Sequence, residues 1–203
     1  MPKTLLTPKQ YLAIEREAEY KSEYFQGEML AMAVSDWVHN QLVVNLVAGF
    51  HNQFRSRPCD VYPSQMRVLV RATGLYTYPD VVVVCGEPQF LDERRDTLLN
   101  PNLLIEVLSP STEAYDRGRK SEHYRSIESL REYLLVASDR VRADLYPRQP
   151  DGRWLLTSAG RLEDSLDLQS AGCRLALADL YEKVDLPGEP WCHSTTAAIP
   201  SAR

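Results

Sequence analysis

The chain has 203 residues, 44% of them hydrophobic, and carries 28 Asp and Glu against 23 Lys and Arg for a formal net charge of -5. This is an ordinary globular composition with enough length for one sizeable core. The net acidity excludes nucleic-acid binding through a uniformly basic surface and leaves only a local basic groove for that purpose.

Thr7-Pro8 ahead of KQYLAIEREAE predicts a helix from Pro8 to Ala18, with threonine as N-cap and proline where its missing N–H costs nothing. Tyr24 to Ala33 predicts a hairpin turning at Gln26-Gly27, with Glu28 just after the turn. From Ser35 or Asp36 to Arg55, Leu42, Leu46, Gly49 and Phe50 recur at helical spacing, with His39 in the first turns. This is also the longest charge-free stretch, but His39, Asn40, Asn45, His51 and Asn52 interrupt it, so it makes a poor membrane span and no membrane association is expected.

Val61-Tyr62 and Met66 to Val70 read as strands, Arg71 to Gly74 as a turn, and Leu75 to Cys85 as one strand entering the core at Pro79-Asp80. A polar loop from Gly86 to Asn102 leads to a strand at Leu103 to Leu108. After a linker, Asp116 is the expected N-cap of a helix running to Ile127 or Glu128. Tyr133 to Ala137, Ala143 to Tyr146 and Trp154 to Thr157 supply further strands, and Ala176 to Val184 a last helix. The acidic chain beyond Asp151 reads as solvated surface. Residues 1–186 are expected to form one domain, and 187–203, rich in Pro, Ser, Thr and Ala, a disordered tail. The order gives an α/β or α+β class with a mixed central β-sheet flanked by helices. Cys59, Cys85, Cys173 and Cys192 lack the paired spacing of a zinc site and follow no secretory leader, so the expectation is reduced thiols in a cytoplasmic protein.

The chemistry sits in two apolar runs, each carrying one acid: Asp80 opens PDVVVVC and Glu106 lies inside LLIEVL. Alone, Asp80 reads as a cap at a strand entrance and Glu106 as half of a buried ion pair with an arginine. Together on neighbouring strands they would repel unless they shared a proton or a divalent cation. A cation suits them better, because magnesium takes one or two protein carboxylates and keeps several waters. Leu104, Glu106 and Leu108 share a strand face, and nucleases with an acid-x-lysine pair need a lysine where Leu108 stands. Lys120 is the nearest substitute, lying at helical spacing with Tyr124 and Ile127 on a face suited to pack on the sheet. Lys120 could otherwise simply pair with Asp116 on a solvated face. Arg117, Arg119 and Arg125 lie close by and suit phosphate contacts.

The stretches GLYTYPDVVVVCGEPQF and TLLNPNLLIEVLSPSTEAYDRGRKSEHYRSIESLREYLLV, with EYFQGEMLAMA and VHN upstream, resemble the Uma-two family of the PD-(D/E)xK nuclease superfamily over Thr7 to Val184. The resemblance implies a restriction-endonuclease-like core and a Mg2+- or Mn2+-dependent endonuclease acting on DNA. It assigns the metal to Asp80, Glu106 and the Val107 carbonyl, with His39 a further ligand candidate and Glu28 a weaker one, and makes Lys120 the displaced lysine. Arg119 stands where an acid is common and Ser121 where an aromatic is common; neither removes a proposed catalytic group. A lapsed nuclease fold that binds nucleic acid or a protein without cutting remains the alternative. Cutting both strands of a duplex needs two sites, which implies a homodimer.

Overall fold

Helix α1 (Pro8–Glu15) begins at its expected cap: Thr7 Oγ1 accepts from the Gln10 N–H while the Gln10 side-chain oxygen accepts from the Thr7 N–H. A computed structural model describes residues 5–32 and 34–186; the expected tail at 187–203, with Cys192 and His193, lies outside the described residues. The hairpin of β1 (Ser22–Phe25) and β2 (Glu28–Ala31) turns on Gln26 and Gly27, at φ of 49° and 89°, the two-residue turn whose twist matches its strands. A Cβ at position 27 would also sit 2.7 Å from the Leu5 Cβ, so glycine is needed there on two counts. Asp36 caps α2 (Trp37–Phe54), its Oδ1 accepting from the His39 N–H at 2.8 Å, and α2 buries Leu42, Leu46, Phe50 and Phe54.

The chain continues through β3 (Cys59–Pro63), β4 (Arg67–Val70), β5 (Leu75–Thr77), β6 (Val81–Cys85), β7 (Thr97–Leu98) and β8 (Leu103–Leu108). A helical segment follows in three parts: α3 (Glu113–Tyr115), a π-helical turn over Asp116–Lys120, and α4 (Ser121–Arg125). Then come β9 (Glu132–Ala137), β10 (Ala143–Pro147), β11 (Thr157–Ala159), β12 (Ser165–Leu168), β13 (Cys173–Ala176) and α5 (Leu177–Leu180). A six-stranded mixed sheet runs β11-β10-β9-β8-β6-β3, with β8 and β9 parallel and the other pairs antiparallel. A five-stranded sheet runs β2-β1-β5-β4-β7, and β12-β13 form a separate hairpin. The fold is thus mixed α+β, with two mixed sheets rather than one central sheet.

Alternation along β8 divides the core in two. Leu103, Ile105 and Val107 join Val81, Val83 and the apolar stripe of α2, whereas Leu104 and Leu108 join Val82, Val84, Tyr124, Ile127 and residues of the five-stranded sheet. Glu106 shares parity with Leu104 and Leu108, so it faces the second cluster.

Further expectations need correction, among them the strand expected at Trp154 to Thr157, which lies at Thr157–Ala159. The run from Leu75 to Cys85 is two strands in different sheets, because the chain crosses between sheets at Tyr78-Pro79-Asp80, where proline has no N–H to give a ladder. Helix begins before Asp116, which is itself helical, buried and turned inward rather than capping. The chain beyond Asp151 is not merely solvated: Leu166, Leu168, Cys173 and Leu175 of β12-β13 close the α2 cluster. Cys59 and Cys85 are not free thiols but a disulfide, joined where the β3–β6 register sets them opposite each other; Cys173 is free and buried. Among the described residues no helix is long and apolar enough to cross a membrane.

The bridge closes a loop across a sequence separation of 26. Reduction, or Cys59→Ser, is expected to cost about 3 kcal/mol on the loop-entropy account, read as a lower urea midpoint; an unchanged midpoint would refute the bridge. At the β7 edge of the five-stranded sheet, Asp96 lies 2.8 Å from Arg16 Nε and 3.0 Å from Arg67 Nη2. Burial pushes the Asp96 carboxyl up, but the Arg16 and Thr97 hydrogen bonds and the two guanidinium charges bring it to about 2. With the folded value below the unfolded one, this stability is complete above the unfolded carboxylate range and drains away as pH falls toward 2. Asp96→Asn is expected to cost about 1–2 kcal/mol at pH 7, after allowance for solvent screening. The gap between variant and wild type should narrow by pH 3 in urea titrations.

Candidate active site

Glu106 is 3% exposed in the middle of β8, with β6 on one side and β9 on the other. A carboxylate there must be compensated, and two groups of the following helical segment do it. Lys120 Nζ lies 2.9 Å from Glu106 Oε1, and the Tyr124 hydroxyl donates to the same oxygen at 2.6 Å. The helical face inferred from Lys120, Tyr124 and Ile127 does face the sheet: all three are buried. Leu108 packs in the apolar cluster, and the ammonium beside Glu106 comes from the helical segment.

The ammonium has two further acidic neighbours, Glu23 Oε1 and Asp116 Oδ1, each at 3.5 Å. Burial pulls Lys120 down, but Glu106, Glu23 and Asp116 outweigh it and hold the ammonium well above its ordinary value. Burial pushes the Glu106 carboxyl well above the carboxylate range; Lys120 and the Tyr124 hydrogen bond oppose this, while Asp80 and Asp116 add to it. Asp116 is likewise raised, first by burial. Three buried carboxyl groups thus face one buried ammonium.

Asp80 completes the group. The β6–β8 register pairs Val81 with Ile105, so one step further sets Asp80 beside Glu106. Asp80 Oδ2 accepts from the Val107 N–H at 2.8 Å and lies 3.0 Å from His39 Nε2, while His39 Nδ1 is buried without a hydrogen-bond partner. The N-terminal turn of α2 thus reaches the mouth of the site. The hydrogen bonds that fix the two acids fall on Asp80 Oδ2 and Glu106 Oε1.

The arginines separate. Arg117 bonds Glu113 at 2.8 Å and the buried Asp144 at 2.9 Å, so its guanidinium is committed to β10 rather than held out for phosphate. Arg119 and Arg125 are exposed. Glu28 sits in β2 opposite Phe25, and the hairpin acid that reaches Lys120 is Glu23 on β1. Sequence reasoning missed Glu23 and the inward turn of Asp116. It also missed Lys21, which donates to the Ser64 carbonyl at 2.8 Å and whose pKa burial lowers against the pull of Asp80 and Glu15.

Residues 8–178 match the Uma2 family, described as "Putative restriction endonuclease". The chain belongs to the Uma2 family. Among its relatives are two uncharacterized Synechocystis sp. proteins. It is 38% identical to slr1290, covering 87% of this chain and 91% of that one, and 37% identical to sll1609, covering 75% and 86%. The crystal structure of "a putative nuclease belonging to DUF820" from Anabaena variabilis superposes with a TM-score of 0.71 at 17% identity, over 87% of this chain and 98% of the other, which shows a common fold.

Removing the Tyr124 hydroxyl deletes one bond to a buried acid. Tyr124→Phe is expected to cost about 1–3 kcal/mol in urea unfolding. Combined with Glu106→Gln the two losses should fall short of additivity by at least about 0.5 kcal/mol; strict additivity would show that the hydroxyl and carboxylate do not interact.

Proposed function

We propose that this Uma2-family chain is a divalent-metal-dependent endonuclease that hydrolyses DNA phosphodiester bonds. The observation that carries the reading is the 2.9 Å approach of Lys120 to Glu106, which the β6–β8 register sets opposite Asp80, with Glu23 and Asp116 each 3.5 Å from the same ammonium. Structural ion pairs need no second carboxylate at the strand entrance; a nuclease centre does.

The donor chemistry fits magnesium or manganese. Two carboxylates and a backbone carbonyl, with water filling the remaining positions, are hard oxygen donors of the kind Mg2+ takes. Among the described residues no three His, Cys, Asp or Glu side chains gather as a closed site would require. Asp80, Glu106 and the Val107 carbonyl would hold the ion, with His39 orienting Asp80 from 3.0 Å. Bound there, a divalent cation supplies Lewis-acid polarisation of the phosphodiester and a nucleophile available near neutral pH.

The chain's own groups do the rest. The Val107 N–H and His39 fix the Asp80 carboxylate, and Tyr124 fixes Glu106. Lys120, kept charged by three carboxylates, places a permanent positive charge where negative charge grows on the phosphate oxygens. Arg119 and Arg125, exposed on the same helical segment, would contact flanking phosphates, while Arg117 holds that segment against β10.

Incubated with supercoiled plasmid and Mg2+ or Mn2+, the purified protein should nick or linearise it. Glu106→Ala should abolish cleavage, and Lys120→Met should slow it by about two to three orders of magnitude. Cleavage undiminished in Glu106→Ala would refute the assignment, and DNA binding without metal uptake or cleavage would make the protein a binding module.

A further inference from the structure

We infer that Glu23 is a positioning residue: its carboxylate holds the Lys120 ammonium so that Glu106 is left to a divalent cation. This rests on the metal-dependent reading above and concerns a residue on the far sheet.

An ammonium has three hydrogens to place, and Lys120 has three carboxylate oxygens within reach, one from each of Glu106, Glu23 and Asp116. If Glu106 were its sole partner, a cation drawing on Glu106 would leave a buried ammonium uncompensated. Asp116 belongs to the same helical segment as Lys120 and moves with it. Glu23 does not: it projects from β1, in the five-stranded sheet, and so fixes the lysine from outside its own element.

Glu23 is itself held firmly. The Thr77 hydroxyl of β5 donates to Oε1 and the Tyr115 hydroxyl donates to Oε2 at 3.1 Å. Both bonds sit in a pocket where Glu23 is 7% exposed. The Tyr115 ring also lies 6.0 Å from Lys120 Nζ. A buried carboxylate with two hydroxyl donors and an aimed lysine is built for one geometry.

The test is calorimetric titration of the full chain with Mn2+ alone, so it does not depend on cleavage. Glu23→Gln, nearly isosteric, should weaken Mn2+ binding roughly tenfold, because Lys120 then leans on Glu106 more heavily. Glu23→Asp should recover part of that loss. In a Lys120→Met background Glu23→Gln should change affinity by less than about twofold, as expected if it acts through the lysine. Tyr115→Phe keeps every charge and should weaken binding about two- to threefold; it serves as the measurement if Glu23→Gln does not fold.

Wild-type affinity in Glu23→Gln, or in Tyr115→Phe where that is the variant measured, would overturn the inference. So would an undiminished loss in the Lys120→Met background. Absence of Mn2+ binding by the wild type would remove the metal reading and this inference with it, whereas wild-type binding with an indifferent Glu23→Gln removes Glu23 alone.

Discussion

A carboxylate in the middle of a buried strand dictates much of what surrounds it. Glu106 is buried in the middle of β8, so the charge it carries must be met by the protein. It is met by Lys120 and Tyr124, which fixes how the helical segment after β8 lies on the sheet and which of its faces turns inward. Exchanging such a pair for apolar residues is often harmless to stability, so its presence is weak evidence for a role in folding alone.

The two sheets make the pocket. The six-stranded sheet brings Asp80 and Glu106 together across β6 and β8, and the five-stranded sheet brings Glu23 and Thr77 over the lysine from the opposite side. The crossing at Tyr78-Pro79-Asp80 joins the sheets, placing Asp80 at the point where the chain enters the second one. The π-helical turn over Asp116–Lys120 widens the helix where it meets the site, so both residues face inward, four positions apart.

Local signals were the legible ones. Thr7-Pro8, Gln26-Gly27, Asp36 and the alternation of LLIEVL act within a few residues, and each produced the element its chemistry implies. The inward face of Lys120 was legible because Tyr124 shares it. Glu23 was not, since it falls just ahead of the hairpin expected from Tyr24, and only the pairing of β5 with β1 places its strand inside the sheet. Asp116 has the residue type of a cap, and only the earlier helix start turns it inward. The Cys59–Cys85 bridge depends on the β3–β6 register, a pairing that spacing along the chain does not encode.

The central claim is that Asp80 and Glu106 share one divalent cation. Its most direct measurement is anomalous diffraction from crystals grown with Mn2+. The expected result is a single anomalous peak between the two carboxylates, about 2.0–2.3 Å from an oxygen of each, with Lys120 still beside Glu23. A crystal without manganese there, in which Glu106 remains paired only with Lys120 and Tyr124, would contradict it.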